Sequence, residues 1–452
     1  MANSPLTAEQ VPMDMLDVIG IGIGPFNLSL AALIQPTGLR ALFFEKRIKF
    51  SWHPGLMLPQ SQLQVSPLKD CVTLVNPTSP YSFLNYLAVH RRLYSFVNKG
   101  GNSTSRREFT HYYQWVAQCL DTLRFGEEVI DIRPCNKGYC VTTTARTYHA
   151  RAVVVGVGVE PKVPACARQV VGETVYHVDD YLNRKPFSED EHVLVVGGGQ
   201  SGAEVVEHML TESGPDKITW ATSRANLFAM DDNAFVNEAY MPSYSQRFHT
   251  LPIQRRWAIV ESEKLTSDGI SASLCNRLYE ALYERSVHGT LADCFRLLPS
   301  VTMDEITRRS GRWHIGLTSL VTSQRNGISA DRIILATGFQ PRHLPFVQKL
   351  LDGASREDGL PTLDPDYAVR FDASMPGPVY LQNQSRVQHG LQSVNLSLVA
   401  YRNSRIINSL LGLAFYPDVP DRQLLDSLED QETEAGSILC DAPQASHQPA
   451  VG

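Results

Sequence analysis

The stretch Asp17-Val18-Ile19-Gly20-Ile21-Gly22-Ile23-Gly24-Pro25-Phe26-Asn27 decides how this chain folds, and a second stretch repeats its message. The second is His192-Val193-Leu194-Val195-Val196-Gly197-Gly198-Gly199-Gln200-Ser201-Gly202. Each opens with a short apolar run that reads as a buried parallel strand, passes through closely spaced glycines, and enters a helix-like segment. Glycines there allow a tight turn and let backbone N–H groups approach a pyrophosphate. The helix start that follows offers unpaired donors and the positive end of its dipole. One such loop can be a plain strand–helix connection. Two, each backed by a feature at the right distance, predict two dinucleotides bound by one polypeptide.

The backing features differ between the two loops. In the first, Gly22 and Gly24 take the leading positions, Pro25 opens the helix, and Asn27 stands where a third glycine would permit close helix–strand packing. The next strand, Leu39 to Glu45, ends in an acid about 20 residues on, as needed to hold a ribose hydroxyl pair. In the second, Gly197, Gly199 and Gly202 complete the triad, with Gln200 and Ser201 at the helix start. Its next strand, Lys217 to Arg224, ends in Thr222, Ser223 and Arg224, hydroxyls and a cation that suit a 2′-phosphate. The first site is therefore expected to take FAD and the second NADP(H).

Composition narrows the class further. The 452 residues fit two or three domains. A net charge of −6, with no basic block interleaved with aromatics, argues against nucleic acid as a partner. The longest apolar runs are strand-length, so no membrane span is expected, and residues 1–16 lack the marks of a signal peptide. The eight cysteines include no C-x-x-C pair and read as reduced cytosolic thiols. Cys135 and Cys140 bracket a turn between two strands, and no further thiol or histidine lies at ligand spacing in the sequence. No metal is expected there.

The expected architecture is α/β: two Rossmann-like dinucleotide-binding domains, for FAD and NADPH, with a smaller helical substrate-binding insertion. Residues 1–185 form the first part of the FAD domain. Residues 186–230 and 288–331 form the NADPH domain, and 231–287 the helical insertion, whose last stretch carries Leu274, Leu278 and Leu282 at helical spacing. Residues 332–420 return to the FAD domain, and the acidic, then Ser/Gln/Pro-rich tail 421–452 is expected to be disordered. The runs Ala152–Gly158 and Asp331–Phe339 both end in small residues, as strands do where they approach a bound dinucleotide.

Three further segments carry a resemblance. Phe50-Ser51-Trp52-His53-Pro54-Gly55 is one. Leu63-Gln64-Val65-Ser66-Pro67-Leu68-Lys69-Asp70, with Asn76 to Phe83 after it, is the second, and Ala336-Thr337-Gly338-Phe339 the third. Together with the two glycine loops they resemble the N-hydroxylating flavin monooxygenases of hydroxamate siderophore biosynthesis, which act on lysine, ornithine or diamines. The similarity runs from about residue 15 to about residue 415. It implies a cytosolic homo-oligomer, a dimer or tetramer, that uses FAD, NADPH and O2. NADPH reduces FAD, the reduced flavin captures O2 as a C4a-hydroperoxide, and one oxygen atom passes to a primary amine. The amine must react as a neutral lone pair, which costs roughly 4 to 5 kcal/mol near pH 7 for a group with pKa about 10.4. Desolvation supplies part of that.

Carried over position by position, the resemblance sets Glu45, Lys46, Trp52, His53, Gln64, Val129, Thr337, Gly338, Asn395 and Leu396 along the flavin, beside Gly22, Gly24, Pro25 and Asn27. It sets Lys69 and Ser397 in the substrate pocket and Asn237 at the substrate backbone. Lys69, Gln64 and Asn237 are its candidate catalytic residues. Two motifs disagree on the amine. Thr266-Ser267-Asp268-Gly269-Ile270-Ser271 resembles the lysine and diamine members, whereas Val236-Asn237-Glu238 resembles the ornithine and diamine members. The hybrid fits cadaverine or putrescine better than L-lysine, with Asp268 and Glu238 as partners for a second ammonium. L-Lysine N6-hydroxylation is the alternative, L-ornithine N5-hydroxylation a weaker one. Another two-dinucleotide flavin oxidoreductase is more distant still; a disulfide reductase would need a redox-active cysteine pair by the flavin.

Overall fold

The computed structural model describes residues 15–418 apart from positions 189 and 213. The expected tail, 421–452, lies outside these residues. Strand β1 (Leu16–Ile21) alternates its side chains between two cores: Val18 faces one, Ile19 and Ile21 the other. It leads through the first glycine loop into α1 (Pro25–Ile34), which is apolar nearly all round and accordingly almost wholly buried. Strand β2 (Ala41–Glu45) follows, then the helices α2 (Phe83–Val89), α3 (Leu93–Asn98) and α4 (Arg106–Gln118). Helix α4 begins at Ser105, whose hydroxyl accepts the Glu108 N–H at 3.1 Å, a Ser-x-x-Glu start. Strands β3 (Leu123–Phe125), β4 (Val129–Cys135), β5 (Gly138–Thr143) and β6 (Thr147–Val155) complete the first half. The sheet order is β3-β2-β1-β6-β5-β4, parallel around β1 and antiparallel in the β4-β5-β6 meander.

After β7 (Val159–Pro161) the chain enters a second, wholly parallel sheet. It comprises β8 (Val175–His177), β9 (His192–Val196), β10 (Lys217–Ala221), β11 (Phe295–Leu298) and β15 (Arg332–Leu335), in the order β11-β10-β9-β15-β8. Helix α5 (Gln200–Thr211) follows the second glycine loop. Then come α6 (Pro242–Thr250), α7 (Ile253–Ser262), α8 (Leu265–Asp268), α9 (Ala272–Val287) and α10 (Leu291–Cys294). Strands β12 (Val301–Arg309), β13 (Arg312–Ser319) and β14 (Arg325–Ala330) form an antiparallel layer on the sheet's other face. The return runs through β16 (Phe339–Pro341), paired with β7, then α11 (Pro345–Leu350) and the short ribbon β17 (Arg356–Glu357) and β18 (Leu360–Pro361). Strand β19 (Val379–Leu381) docks parallel to β6, and α12 (Arg386–His389) and α13 (Val399–Leu411) are the last helices among the described residues.

The mixed α/β fold with two Rossmann-like domains is as expected, but three boundaries shift. The second sheet begins at β8 rather than at 186. It also takes β15, because Ile333 pairs with Leu194 and with Val175, so the return starts beyond 335. Helix α9 is not a cap over substrate: Leu274 and Leu278 are buried in the core of the second sheet with Val205 and Met209 of α5. The strand expected over Lys217–Arg224 stops at Ala221.

The expectation of no metal ligands beyond Cys135 and Cys140 is also corrected. Strand register pairs Cys140 directly with His149, so the three ligand atoms lie within 4.8 Å of one another. No helix among the described residues is long and apolar enough to cross a membrane.

Candidate active site between two nucleotide loops

Each glycine loop pairs a crowded residue with an open one. Gly22 has φ +83°, and an added Cβ would stand 2.6 Å from the Gly156 carbonyl oxygen. Gly197 has φ +125°, with the Ala336 carbonyl oxygen 2.1 Å from the same position. Both need glycine to turn the chain against a neighbouring strand. Gly24 and Gly199, the N-cap residues of α1 and α5, face no atom within 4 Å and receive no side-chain cap. The first N–H groups of both helices therefore open onto a cradle that fits a pyrophosphate. Asn27, in the third glycine's place, ties strand to helix: its Nδ2 donates to the Ile21 and Gly22 carbonyls at 3.2 and 2.9 Å. The Glu45 carboxylate accepts the Ile23 and Arg47 N–H groups at 3.1 and 3.0 Å, which aims it at the loop where a ribose would lie. Lys46 Nζ stands 3.9 Å from Glu128, beside the start of β4 at Val129.

The Trp-His-Pro-Gly segment fastens this flavin side to the second sheet. Pro54–Leu56 forms a short helical turn against 178–183, and a Cβ on Gly55 would meet the Asp179 carbonyl oxygen at 1.9 Å. His53 lies 3.7 Å from the Asp179 carboxylate, whose titration it holds below the ordinary range. The His53 ring meets Phe339, which meets buried His177, with centroids 5.9 and 5.0 Å apart. Trp52 packs edge-on to Tyr113. Thr337 and Gly338, expected along the flavin, are tied to the crossover strands. The Thr337 hydroxyl donates to the Lys162 carbonyl at 2.6 Å, and the Gly338 carbonyl lies 2.9 Å from His177 Nε2.

Lys69 and Ser397 come together as the resemblance implies. The Lys69 ammonium donates to Ser397 Oγ at 3.2 Å and sits 5.2 Å from the centre of the Tyr240 ring, while burial pushes it below an ordinary lysine. Asp70 sets that loop: its buried carboxylate accepts the N–H groups of Val72, Thr73 and Phe83 and the Thr73 hydroxyl, at 2.6–2.8 Å. On the far side, Asn395 Oδ1 accepts the Ser397 N–H at 2.8 Å, next to buried Leu396. Gln64 Nε2 points to Met230 Sδ, at 3.9 Å.

Three more expected residues lie in or beside the helical insertion. Asn237 is exposed and its Nδ2 donates to the Asp232 carbonyl at 2.9 Å. Asp268, expected at a substrate ammonium, is paired with Arg386. Arg386 donates to its carboxylate at 2.8 and 3.4 Å and outweighs the effect of burial, so the carboxyl titrates below its ordinary value. Glu238 instead lines a cavity of about 330 Å³ with Asp231, Glu263, Tyr244 and Arg247.

At the second loop, Thr222 packs against Gly198 and takes the Arg224 N–H at 3.2 Å, so Thr222 drops out of the phosphate-reading set. Ser223 stays exposed. Arg224 spends one guanidinium nitrogen on the Asp268 carbonyl at 2.7 Å and buries the other, Nη1, with no partner. Ser201 is half-buried at the head of α5, and Gln200 accepts the Ser271 N–H at 2.8 Å. Sequence reasoning missed Tyr240 and Arg386, which belong to no motif. It also missed the clasp of Arg106 on Glu204 (2.7 and 3.1 Å) that joins α4 to α5.

Two glycine cradles, one followed a strand later by Glu45 and the other by Arg224, have the form of a flavin- and nicotinamide-dependent oxidoreductase. The particular family follows from comparison. The family described as L-lysine 6-monooxygenase/L-ornithine 5-monooxygenase matches residues 14–341. The chain is 33% identical to the L-lysine N6-monooxygenase of Escherichia coli over 405 residues, 88% of this chain and 95% of the relative. A FAD-bound cadaverine monooxygenase of desferrioxamine biosynthesis from Erwinia amylovora superposes with TM-score 0.85 at 28% identity, over 91% of this chain and 98% of its own. An ornithine N-hydroxylase from Kutzneria with reduced FAD, NADP+ and L-ornithine gives 0.83 at 28% identity, over 88% and 99%. The chain belongs to this family: it is an NADPH-dependent, FAD-containing N-hydroxylating monooxygenase of siderophore biosynthesis.

Proposed function

We propose that the amine this enzyme hydroxylates is an aliphatic diamine, cadaverine or putrescine. The observation that carries this reading is the charge of the cap cavity: Asp231, Glu238 and Glu263 face it against a single guanidinium, Arg247. A second ammonium gains from that surplus, while the α-carboxylate of an amino acid meets three acids against one guanidinium and is repelled. The cavity adjoins the reacting end, since Tyr240, under the Lys69 ammonium, donates its hydroxyl to the carbonyl of Thr266 in the cavity wall at 2.7 Å.

FAD held at the first loop and NADPH at the second supply the redox and oxygen-transfer chemistry. The chain's own share is positioning and electrostatics. Glu45 holds the FAD ribose, and Arg224 with Ser223 reads the 2′-phosphate of NADPH. Lys69 and Ser397 hold the substrate amine by the flavin edge. A cation beside a second amine lowers that amine's pKa, so Lys69 favours the neutral lone pair that must react. The enzyme is proposed to work in the cytosol as a homo-oligomer, a dimer or tetramer, which sedimentation velocity on the purified protein counts directly.

The test of the substrate is amine-dependent NADPH oxidation with hydroxylamine detection, across cadaverine, putrescine, L-lysine and L-ornithine. The expected outcome is kcat/KM for a diamine at least about tenfold above L-lysine, a difference of about 1.4 kcal/mol. Lysine equal to or better than both diamines replaces this reading with L-lysine N6-hydroxylation.

A further inference from the structure

We propose that Cys135, Cys140 and His149 form a metal site on the flavin-domain sheet that takes a divalent cation of the zinc class, with water as fourth ligand. The hairpin between β4 and β5 turns at Lys137, with φ +67°, and pairs Cys135 with Gly138 and Arg133 with Cys140. The next pair of strands sets Cys140 opposite His149. Side chains alternate across a sheet, so Tyr139 and Val141 go into the core while Cys140 points to the opposite face. His149 stands on that face directly across from Cys140, and Cys135 diagonally from it. Three adjacent strands thus each contribute one ligand.

The spacing suits a metal. The three ligand atoms lie within 4.8 Å of one another, and Cys140 Sγ stands 3.4 Å from His149 Nδ1. A tetrahedral zinc with Zn–S about 2.3 Å and Zn–N about 2.0–2.1 Å has an S···N edge of roughly 3.5 Å. All three side chains are half-buried, shielded enough to form strong bonds yet open to a water ligand. The ligand types decide the metal: two thiolates and an imidazole select zinc-like over hard cations such as calcium or magnesium.

Position assigns the site a structural duty. His149 neighbours Ala150, which pairs with Leu16 at the start of β1, whereas the flavin loop leaves the other end of β1 at Gly22. The site therefore lies at the far edge of the sheet from the chemistry. A metal there staples the β4-β5-β6 meander, and because it binds the folded chain it raises stability by mass action.

The experiment uses the FAD-loaded full chain, kept under a non-metal-binding reductant, with Zn2+ and Co2+ as probes. Equilibrium dialysis should give one Zn2+ per chain, and Zn2+ should raise Tm. Co2+ should give the intense visible bands of tetrahedral thiolate coordination at red wavelengths where oxidised flavin is transparent. Cys140→Ser, Cys135→Ser and His149→Gln should each abolish stoichiometric binding and the Tm gain, with flavin content and NADPH oxidation unchanged as the check on folding. Cys119→Ser, an exposed cysteine outside the cluster, should bind as the parent does. The proposal is overturned if the reduced parent binds no stoichiometric Zn2+, if Co2+ shows only the weak bands of octahedral coordination, or if the three variants bind as the parent does.

Discussion

Lys69 and Ser397, 328 positions apart in the chain, meet through a hydrogen bond of 3.2 Å from ammonium to hydroxyl. The contact joins the loop after the Trp-His-Pro-Gly segment to the segment entering α13, and so closes the reacting end of the site from both ends of the FAD domain. Lys69→Ala should leave FAD bound, because the side chain's hydrogen bond and ring contact go to Ser397 and Tyr240, outside both glycine loops. It should cut hydroxylated product by about 100-fold, the loss expected when a reacting group is misplaced by about 1 Å. NADPH oxidation should continue and its oxygen should appear as hydrogen peroxide. The ratio of hydroxylamine formed to NADPH consumed measures this. A variant that lost its flavin instead would make Lys69 a folding residue.

Arg224 is proposed to separate two coenzymes. Its buried Nη1 has no partner among the described residues, and a charge-assisted bond to a 2′-phosphate is worth about 1.5–3 kcal/mol. Arg224→Ala should raise KM for NADPH by about 10- to 100-fold and shift NADH by no more than about twofold. Steady-state titration with both coenzymes decides it. Equal losses would mean that the arginine serves only to brace the Asp268 carbonyl.

The glycine loops were legible because every step of their logic is local. A strand, a turn and a helix start follow one another within eleven residues, and Glu45 lies one strand on. What escaped sequence reading depends on long-range register. Cys140 faces His149 only because β5 pairs with β6 at that offset. β15 belongs to the second sheet only because it slots between β9 and β8, which no pattern in Arg332–Leu335 reveals. Helix α9 was seen as a helix, but its apolar stripe could not say which core it joins. Asp268 looked available for a ligand because nothing in the sequence points to Arg386, more than a hundred residues away.

The clasp between Arg106 and Glu204 yields a stability prediction. The Glu204 side chain is only 5% exposed and takes both arms of the guanidinium, and Arg106 also donates to the Leu56 carbonyl at 3.2 Å. Removing one member leaves a buried charge alone, at a typical cost of about 3–5 kcal/mol. Glu204→Leu should therefore lower the unfolding free energy by that order, read from urea midpoints. The pair Arg106→Met with Glu204→Leu should recover most of the loss. A double variant as unstable as the single one would show that the ion pair stabilises the domain junction in its own right.

Acid should weaken the fold before it protonates carboxylates. Burial lowers the titration of His177, His192, His208, His249 and His389 below the ordinary value, most strongly for His389, which stacks on His249 and Tyr367 at 4.6 and 3.9 Å. Each stays neutral in the folded chain and binds a proton more readily when unfolded. The unfolded state then holds more protons, so stability is full above about pH 6.5 and falls as pH drops below it, by at most about 1.4 kcal/mol per pH unit for each histidine. Urea midpoints at pH 7.5 and 5.5 measure the slope. A midpoint unchanged over that range would mean these imidazoles titrate normally.

Glu238 gives the substrate its sharpest test. It faces the cap cavity with Asp231 and Glu263, from the same short helix whose Tyr240 ring underlies the Lys69 ammonium. If a distal ammonium is read there, Glu238→Gln keeps the shape of the side chain and removes one charge. KM for cadaverine or putrescine should rise by about tenfold, equivalent to about 1.4 kcal/mol, with kcat nearly unchanged because the reacting amine lies at the other end. The cavity is open to water, so added salt should narrow the gap between parent and variant. A monoamine of similar length, which has no second charge to place, should show no difference between the two enzymes. If KM for the diamine and for the monoamine rose together, Glu238 would be shaping the cap rather than reading charge, and the diamine assignment would lose the observation that carries it.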